Sequence, residues 1–282
     1  MAAAGGSVNP ALALVPLVSG GMAGFAVDVS LYPIDTVKTR LQSPLGFFGS
    51  GGFRGMYRGI SAAAAGSVPG AALFFGVYES MKKTLKGMEV SATGSHMLAA
   101  STGEIAACCV RVPVEVVKQR LQAGQYSSLR SGVFQILSTD GIAGFFRGYG
   151  MTILREIPFA AIQMPLLEIA KDAWRSRRKG QELLPIHVAA CGSLCGGLAA
   201  AATTPLDVIK TRLMLGSDKL GVAYDAGILN CAQRILSHEG PSAFFAGLSA
   251  RVFWISLGGF VFFGAYDAST TLLSKAIDTR GT

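Results

Sequence analysis

This sequence has few charged side chains and lacks the motifs of a soluble enzyme. Asp, Glu, Lys and Arg make up 15% of its 282 residues, whereas an ordinary soluble domain carries about a quarter. It contains no G-x-G-x-x-G loop, no phosphate-binding P-loop and no H-E-x-x-H zinc motif. Its three histidines have no partners in a pattern that suggests a catalytic triad. These absences argue against an enzyme, and we expect no cofactor and no metal.

Three further features bear on targeting, nucleic-acid binding and the state of the thiols. Residues 1–10 are small and uncharged, unlike an Arg-rich presequence or the basic start of a signal peptide, so targeting information is expected inside the mature chain. The net charge of +8 comes from basic residues near helix ends and not from a stripe, so we expect no nucleic-acid binding. Five cysteines, an odd number in largely apolar stretches, predict reduced thiols with structural roles.

Apolar residues are what the chain has in abundance. It is 50% hydrophobic, with a mean hydropathy of +0.44. A helix needs about 20 mostly apolar residues to cross a bilayer, and helices satisfy their backbone polar groups internally in lipid. Six stretches are long enough: 11–41, 60–86, 93–122, 149–174, 185–213 and 248–275.

A motif of the form Pro-x-acid-x-x-base-x-base occurs three times, beginning at Pro33, Pro113 and Pro205. A glycine- and aromatic-rich motif follows each copy and ends at Gly59, Gly148 and Gly247. A long internal repeat with charge at the end of each apolar run predicts a threefold membrane assembly. We expect three two-helix modules, each with a short amphipathic helix between its long helices, abbreviated in the glycine-rich first loop: 11–90, 91–182 and 183–276.

The paired motifs resemble those of the mitochondrial carrier family over about residues 11–276. The resemblance implies an all-α membrane protein with six transmembrane helices in three pseudo-threefold repeats and short matrix-side amphipathic helices. It also implies the mitochondrial inner membrane, alternating access around a central cavity, contact with cardiolipin and a monomer. The chain departs from the pattern at Gly51, where the other repeats have Asp140 and Glu239, and at Ala246, where they have a base.

The acid and the first base of the repeated motif predict a ring of ion pairs, which the resemblance makes the matrix gate. Threefold arrangement lets each acid reach the base of another module: Asp35–Lys118, Glu115–Lys210 and Asp207–Lys38. Gln42 and Gln122 are expected to brace two pairs, while Met214 occupies the third position. Exposed pairs contribute only about 0–1 kcal/mol each, which suits a gate that opens in every cycle. Ordinary helix-end charge is the alternative.

A second set of charges, near the ends of the even helices, predicts the cytoplasmic gate: Glu79/Lys82, Glu168/Lys171 and Asp267 with Thr270 in place of a base. Because Thr270 carries no charge, at most two bridges can form there. This gate is expected to be weaker than the first.

Positions that break the threefold symmetry point to the substrate. Alignment of the even helices sets Gly66, Arg155 and Trp254 at one level, followed by Glu156, and the resemblance places substrate contacts at this depth. Ionisable residues at mid-membrane are costly and indicate function. The further candidates are Asp28, Glu104, Arg111, Arg251 and Gln163. Internal pairing of Arg111 with Asp28 or Glu104, packing of Trp254, and a headgroup position for Arg251 are the alternatives.

Within the family, the runs Asp35–Pro44, Leu154–Pro158 and Ile255–Phe260 are most similar to members that transport S-adenosylmethionine. The resemblance therefore implies exchange of S-adenosylmethionine for S-adenosylhomocysteine.

In that reading each candidate contact has a chemical match. Arg155 suits the carboxylate, Glu156 and Asp28 the two cationic groups, Trp254 the adenine or sulfonium, and Gln163 the ribose or base. Gly66 leaves room. The residues alone support only a zwitterionic or cationic solute with an apolar part, so a basic amino acid or nucleotide carrier and a non-transporting adaptor stay open.

The missing base at Thr270 generates a prediction. Thr270→Lys supplies a third cation to the cytoplasmic gate, so we expect slower exchange because this gate then separates less readily. Uptake of labelled solute into proteoliposomes measures the rate. Unchanged or faster turnover would contradict the assignment.

Overall fold

The computed structural model describes residues 10–86, 92–177, 184–217, 221–224 and 227–278. The predicted module boundaries at 90/91 and 182/183 lie outside the described residues. The helices are α1 (Pro10–Gln42), α2 (Gly46–Gly49), α3 (Ile60–Lys86), α4 (Ala92–Gln122), α5 (Leu129–Thr139), α6 (Tyr149–Arg177), α7 (Pro185–Ala202), α8 (Thr204–Leu215), α9 (Gly227–Glu239) and α10 (Leu248–Asp278). Short 3-10 turns cover Ile142–Phe146 and Pro241–Phe245.

The long helices coincide with the six predicted stretches, and the all-α fold class is confirmed. In the third repeat the odd helix is broken into α7 and α8, which meet at an angle of 66°. Pro205 lies in the first turn of α8, where its missing N–H and fixed φ are tolerated. Pro33 and Pro113, the equivalent prolines, lie inside the continuous helices α1 and α4.

Length and composition identify three described helices as apolar enough to cross a membrane, or four if α7 and α8 count as one broken span. The three are Ile60–Lys86, Met97–Gln122 and Pro241–Phe262. The other two long helices, α1 and α6, have 33 and 29 residues. Both exceed the length that a bilayer requires.

The long helices pack in the order α3, α4, α6, α7, α10 and α1. Side-chain hydrogen bonds fasten the first loop to α1, because Tyr32 Oη donates to the Arg58 carbonyl at 2.9 Å and Thr36 Oγ1 to that of Met56 at 2.6 Å. This arrangement brings the C-terminal ends of α1, α4 and α8, which carry the repeated motif, into mutual contact.

The short helices between the long ones differ as the sequence predicts. The first, α2, has 4 residues, whereas α5 and α9 have 11 and 13. In the second and third repeats a buried arginine of the motif pairs with the acid that follows, Arg120 with Asp140 and Arg212 with Glu239.

Gly51 replaces that acid in the first repeat, and backbone oxygens take over its role. The Arg40 guanidinium is fully buried and donates to the carbonyls of Gln122, Gly52 and Gly55. The departure from the family pattern is therefore compensated by the glycine-rich loop.

The five cysteines are free thiols, four of them buried and Cys109 exposed. Burial raises the pKa of Cys231 in α9 to about 12. A thiol with so high a pKa holds almost no thiolate at neutral pH and is therefore a poor nucleophile.

Helices α3 and α4 approach closely at Gly66. A Cβ built on Gly66 would lie 2.6 Å from Val114 Cγ2, so the space that the missing side chain leaves is filled by Val114. The expectation that Gly66 leaves room for a bulky ligand is wrong in this respect, because the glycine instead permits helix–helix contact.

Gly66→Ala is therefore expected to force α3 and α4 apart and to destabilise the protein by about 1–3 kcal/mol, the usual effect of overpacking. Thermal unfolding in detergent measures it as a lower melting temperature. Gly76→Ala on the same helix is the matched control, since its Cβ would meet nothing within 4 Å. Equal melting temperatures for the two variants would contradict the close contact.

Candidate functional site: a charge ring below a central cavity

Three ion pairs join the repeats at the C-terminal ends of the odd helices. Lys118 Nζ lies 2.7 Å from Asp35 Oδ2, Lys210 Nζ 2.7 Å from Glu115 Oε1, and Lys38 Nζ 2.8 Å from Asp207 Oδ2. Each acid contacts the base of another repeat, in the pairing that the sequence predicts. The structure thus contains the ring itself, while its role as a gate stays a prediction.

The ring is more buried than the sequence suggested. Side-chain exposure runs from 4% for Asp207 to 23% for Lys118, so the small energy expected of exposed pairs does not describe these contacts. Buried charges lose their hydration, and removing one partner of such a pair typically costs about 3–5 kcal/mol. Packing of the three odd helices causes this burial, and that packing is not visible in the motif alone.

The two glutamines brace the ring as predicted. Gln122 Nε2 donates to Asp35 Oδ2 at 3.0 Å, and Gln42 Nε2 donates to Asp207 Oδ2 at 3.0 Å. Gln42 also accepts from Thr211 Oγ1 at 2.7 Å. Met214 occupies the third position and is fully buried. The third pair instead gains a hydrogen bond from Gln119 Nε2 to Glu115 Oε1.

Asp207 collects more cations than the repeat pattern predicts. Arg251 Nη1 lies 3.2 Å from Oδ2, and Arg155 Nε lies 3.7 Å from Oδ1. Arg251 is 2% exposed, so the alternative that places it near the lipid headgroups is wrong. Helix α10 crosses the α7–α8 break here, and that crossing brings the arginine inside. The sequence signal was an arginine where the aligned positions are Ala63 and Thr152.

At the opposite end of the helices the predicted inter-repeat bridges are not formed among the described residues. Lys171 Nζ pairs at 2.9 Å with Glu168 of its own helix, and Lys82 lies 5.8 Å from the centre of the Tyr78 ring. Glu79 has no ion pair with any described residue. The side chain of Asp267 lies outside the described residues. Among the residues that the structure describes, the charges are therefore paired across repeats at the motif end and not at this end.

A cavity of about 620 Å³ lies above the ring. Its walls bring together five of the predicted substrate residues: Asp28, Gly66, Glu104, Arg111 and Trp254. Two ring residues, Glu115 and Lys118, also line it, so the ring closes the cavity at the motif end. The apolar part of the wall includes Phe74 and Phe75 of α3.

Charges within this cavity are unevenly paired. Arg111 and Glu104, two turns apart on α4, form an ion pair, which is the internal pairing left open by the sequence. Asp28 is exposed to the cavity and has no ion pair with any described residue. Its carboxylate is therefore accessible to a ligand, with Lys118 lining the same cavity.

The other three predicted residues lie on α6, beside the third repeat. Arg155 pairs with Glu156 and lies 6.0 Å from the centre of the Phe159 ring. Gln163 faces α7, because a Cβ built on Gly196 would lie 3.4 Å from its Nε2. The structure therefore separates the candidate contacts into a cavity wall with a free acid and a neighbouring group around Arg155.

The buried glutamine braces generate a prediction. Gln42→Met keeps the side-chain length but removes hydrogen bonds to Asp207 and Thr211, so we expect a loss of about 1.5–3 kcal/mol, as for a hydrogen bond to a charged group. A lower melting temperature in detergent is the readout. Gln135→Met on the exposed face of α5 is the control. An unchanged melting temperature for Gln42→Met would exclude a stabilising brace.

Comparisons with known proteins agree with this architecture. The profile of the family described as Mitochondrial carrier protein matches residues 10–46, 47–89, 90–178 and 181–276. The chain is 49% identical over 260 residues to a Mitochondrial S-adenosylmethionine carrier protein of Xenopus tropicalis, covering 92% of this chain and 96% of the relative. It is 50% identical over 260 residues to the protein of that name in Mus musculus, covering 91% and 94%.

A relative from yeast extends the match. The chain is 44% identical over 279 residues to the Putative mitochondrial carrier protein PET8 of Saccharomyces cerevisiae, covering 94% of this chain and 96% of the relative. Threefold repetition, the inter-repeat ion pairs and matches along nearly the whole chain lead to one conclusion: the chain belongs to the mitochondrial carrier family, and it is a multi-pass protein of the mitochondrial inner membrane.

Proposed function

We propose that this protein carries S-adenosylmethionine into mitochondria in exchange for S-adenosylhomocysteine, by alternating access. The names of relatives about half identical over most of the chain support the first solute. The observation that carries the mechanism is the central cavity, which is bounded at one end by inter-repeat ion pairs and has no such pairs among the described residues at the other. No chemical change of the solute is required.

The free carboxylate of Asp28 supports a cationic ligand. S-adenosylmethionine carries an ammonium and a sulfonium, and a cavity carboxylate without a counter-ion attracts either group. Trp254 lines the same cavity. Its ring suits adenine stacking or a cation–π contact with the sulfonium, the latter adding about 0.5–2 kcal/mol.

Arg155 and Glu156 supply the complementary recognition of an amino acid. A guanidinium binds a carboxylate through paired hydrogen bonds, and Glu156 accepts from an ammonium. The two side chains pair with each other, so an amino acid can replace that internal pair with two matched contacts. Gln163, on the same helix, offers an amide for the ribose or base.

In this proposal the ring Asp35, Lys38, Glu115, Lys118, Asp207 and Lys210 is the matrix gate, braced by Gln42 and Gln122. The charges Glu79, Lys82, Glu168, Lys171 and Asp267 form the cytoplasmic gate. The structure then corresponds to the state that is open to the cytoplasm. Closure of that side requires Lys171 to exchange its contact with Glu168 for one with another repeat.

The membrane potential gives the exchange a direction. S-adenosylmethionine carries one more positive charge than S-adenosylhomocysteine at neutral pH. Moving that charge inward is assisted by about 2.3 kcal/mol for each 100 mV, provided that the charges of the protein return unchanged.

Anionic lipid and a single chain complete the proposal. A pocket between Phe146–Met151 and the start of α9 at Gly227 and Ile228 offers a helix N-terminus, which favours phosphate. Arg147, which also lines this pocket, is paired with Asp140. Cardiolipin is the expected lipid. All three repeats contribute residues to the cavity, and we expect a single chain to be the transporting unit.

Uptake of labelled S-adenosylmethionine into proteoliposomes tests the substrate. We expect uptake into vesicles loaded with S-adenosylmethionine or S-adenosylhomocysteine and little into empty vesicles. Glu156→Gln and Asp28→Asn are each expected to lower kcat/KM by about tenfold or more, since a charged hydrogen bond contributes about 1.5–3 kcal/mol. Asp172→Asn is the control, because its carboxylate is 70% exposed.

Competition by unlabelled solutes sharpens the result. Inhibition by S-adenosylhomocysteine and not by ornithine or a nucleotide supports the proposal. No uptake of S-adenosylmethionine beside rapid exchange of ornithine or a nucleotide would overturn the substrate. Equal uptake into empty and loaded vesicles would overturn the exchange mechanism.

A further inference from the structure

Arg251 is a buried cation beside the ring that does not belong to the repeated motif. Its Nη1 lies 3.2 Å from Asp207 Oδ2, the oxygen that Lys38 and Gln42 also contact. Counted from the glycine that precedes each even helix, the same position holds Ala63 in the first repeat and Thr152 in the second. Only the third repeat therefore has an arginine at this position.

The same guanidinium holds the break between α7 and α8. Arg251 Nη1 donates to the carbonyl of Thr203 at 3.1 Å, and Nη2 donates to Thr203 Oγ1 at 2.9 Å. Thr203 is the residue between the two helices, where the chain turns by 66°. One side chain thus joins α10 both to the break and to the ring acid that follows it.

The two cations that contact Asp207 Oδ2 come from different repeats. Lys38 belongs to the first repeat, so its bridge must separate when the repeats move apart at the ring. Arg251 belongs to the same repeat as Asp207, and movement between repeats does not require this pair to separate. A carboxylate without a counter-ion at this depth is costly, and Arg251 provides the counter-ion that can stay.

We propose that Arg251 is a positioning residue that stays with Asp207 while the ring opens and thereby favours the ring-open state. Among the described residues, neither Asp35 nor Glu115 has an arginine partner in its own repeat. The three bridges of the ring are then unequal, and the bridge between Lys38 and Asp207 separates with the smallest electrostatic loss. This inference rests on the proposed function, because it assigns one step of the same transport cycle.

Exchange kinetics of Arg251→Gln in loaded proteoliposomes test the inference. We expect kcat to fall about tenfold or more, since the opening ring strands Asp207. KM for external solute should change by less than about threefold, since Lys38 and Gln42 still hold Asp207 in the ring-closed form that binds. Arg175→Gln, which removes an arginine that is 53% exposed, is the matched control. A change in KM with unaltered kcat would overturn the inference.

A double variant separates charge pairing from helix capping. Arg251→Gln is repeated in the Asp207→Asn background, which has no carboxylate to strand. If Arg251 acts by charge pairing, Arg251→Gln does not lower kcat further in the Asp207→Asn background. If it acts by capping Thr203, Arg251→Gln lowers kcat by the same factor in both backgrounds. Arg251→Lys keeps the charge without the fork and is expected to retain more than about a third of the wild-type kcat. An equal loss in both backgrounds, or a lysine variant as slow as the glutamine variant, would overturn the proposal.

Folding and substrate are controlled separately. Circular dichroism and melting temperature in detergent report folding. If Arg251→Gln does not fold, a folded double variant supports the pairing and an unfolded one overturns it. If the wild-type protein exchanges a solute other than S-adenosylmethionine, the same variants are measured with that solute. Failure of the proposed substrate and failure of the Arg251 inference therefore give different results.

Discussion

The contact between each acid of the repeated motif and a base of another repeat is the interaction on which the rest of the molecule depends. Asp35, Glu115 and Asp207 each take their lysine from a different repeat. Three helix ends are thereby held together at one level, and they close one end of the cavity. Bridges within one helix would give the same charge balance and no closure. The pair Lys171–Glu168, at the opposite end of the long helices, has that local form.

Burial removes the hydration of the ring charges, and further polar and charged side chains offset part of that desolvation cost. The bridging groups are largely desolvated, so their mutual attraction must offset the loss of hydration. Gln42 and Gln122 each donate to a ring carboxylate, and Asp207 receives two arginines in addition. The third repeat is consequently the most strongly compensated part of the ring. Threefold sequence symmetry therefore coexists with unequal electrostatics.

Charge is also distributed unevenly around the cavity. One wall contributes Asp28, whose carboxylate forms no ion pair with a described residue, beside an internally neutral pair, Glu104 and Arg111. Beside the cavity, and not among the residues that line it, Arg155 on α6 contacts both Glu156 and the ring acid Asp207. A ligand carboxylate that engages Arg155 thus reaches a group that already touches the ring.

The sequence by itself determined the threefold repeat, the helical class, the pairing of ring residues and the brief first loop, because each follows from periodic spacing along one chain. Only the tertiary structure decided how deeply the ring is buried, that Val114 fills the space at Gly66, and that Arg251 lies against Asp207. These facts depend on how α3 meets α4 and how α10 crosses the α7–α8 break. Local pattern fixes which side chains face inward, whereas contact between distant helices fixes which of them meet and how much water they lose.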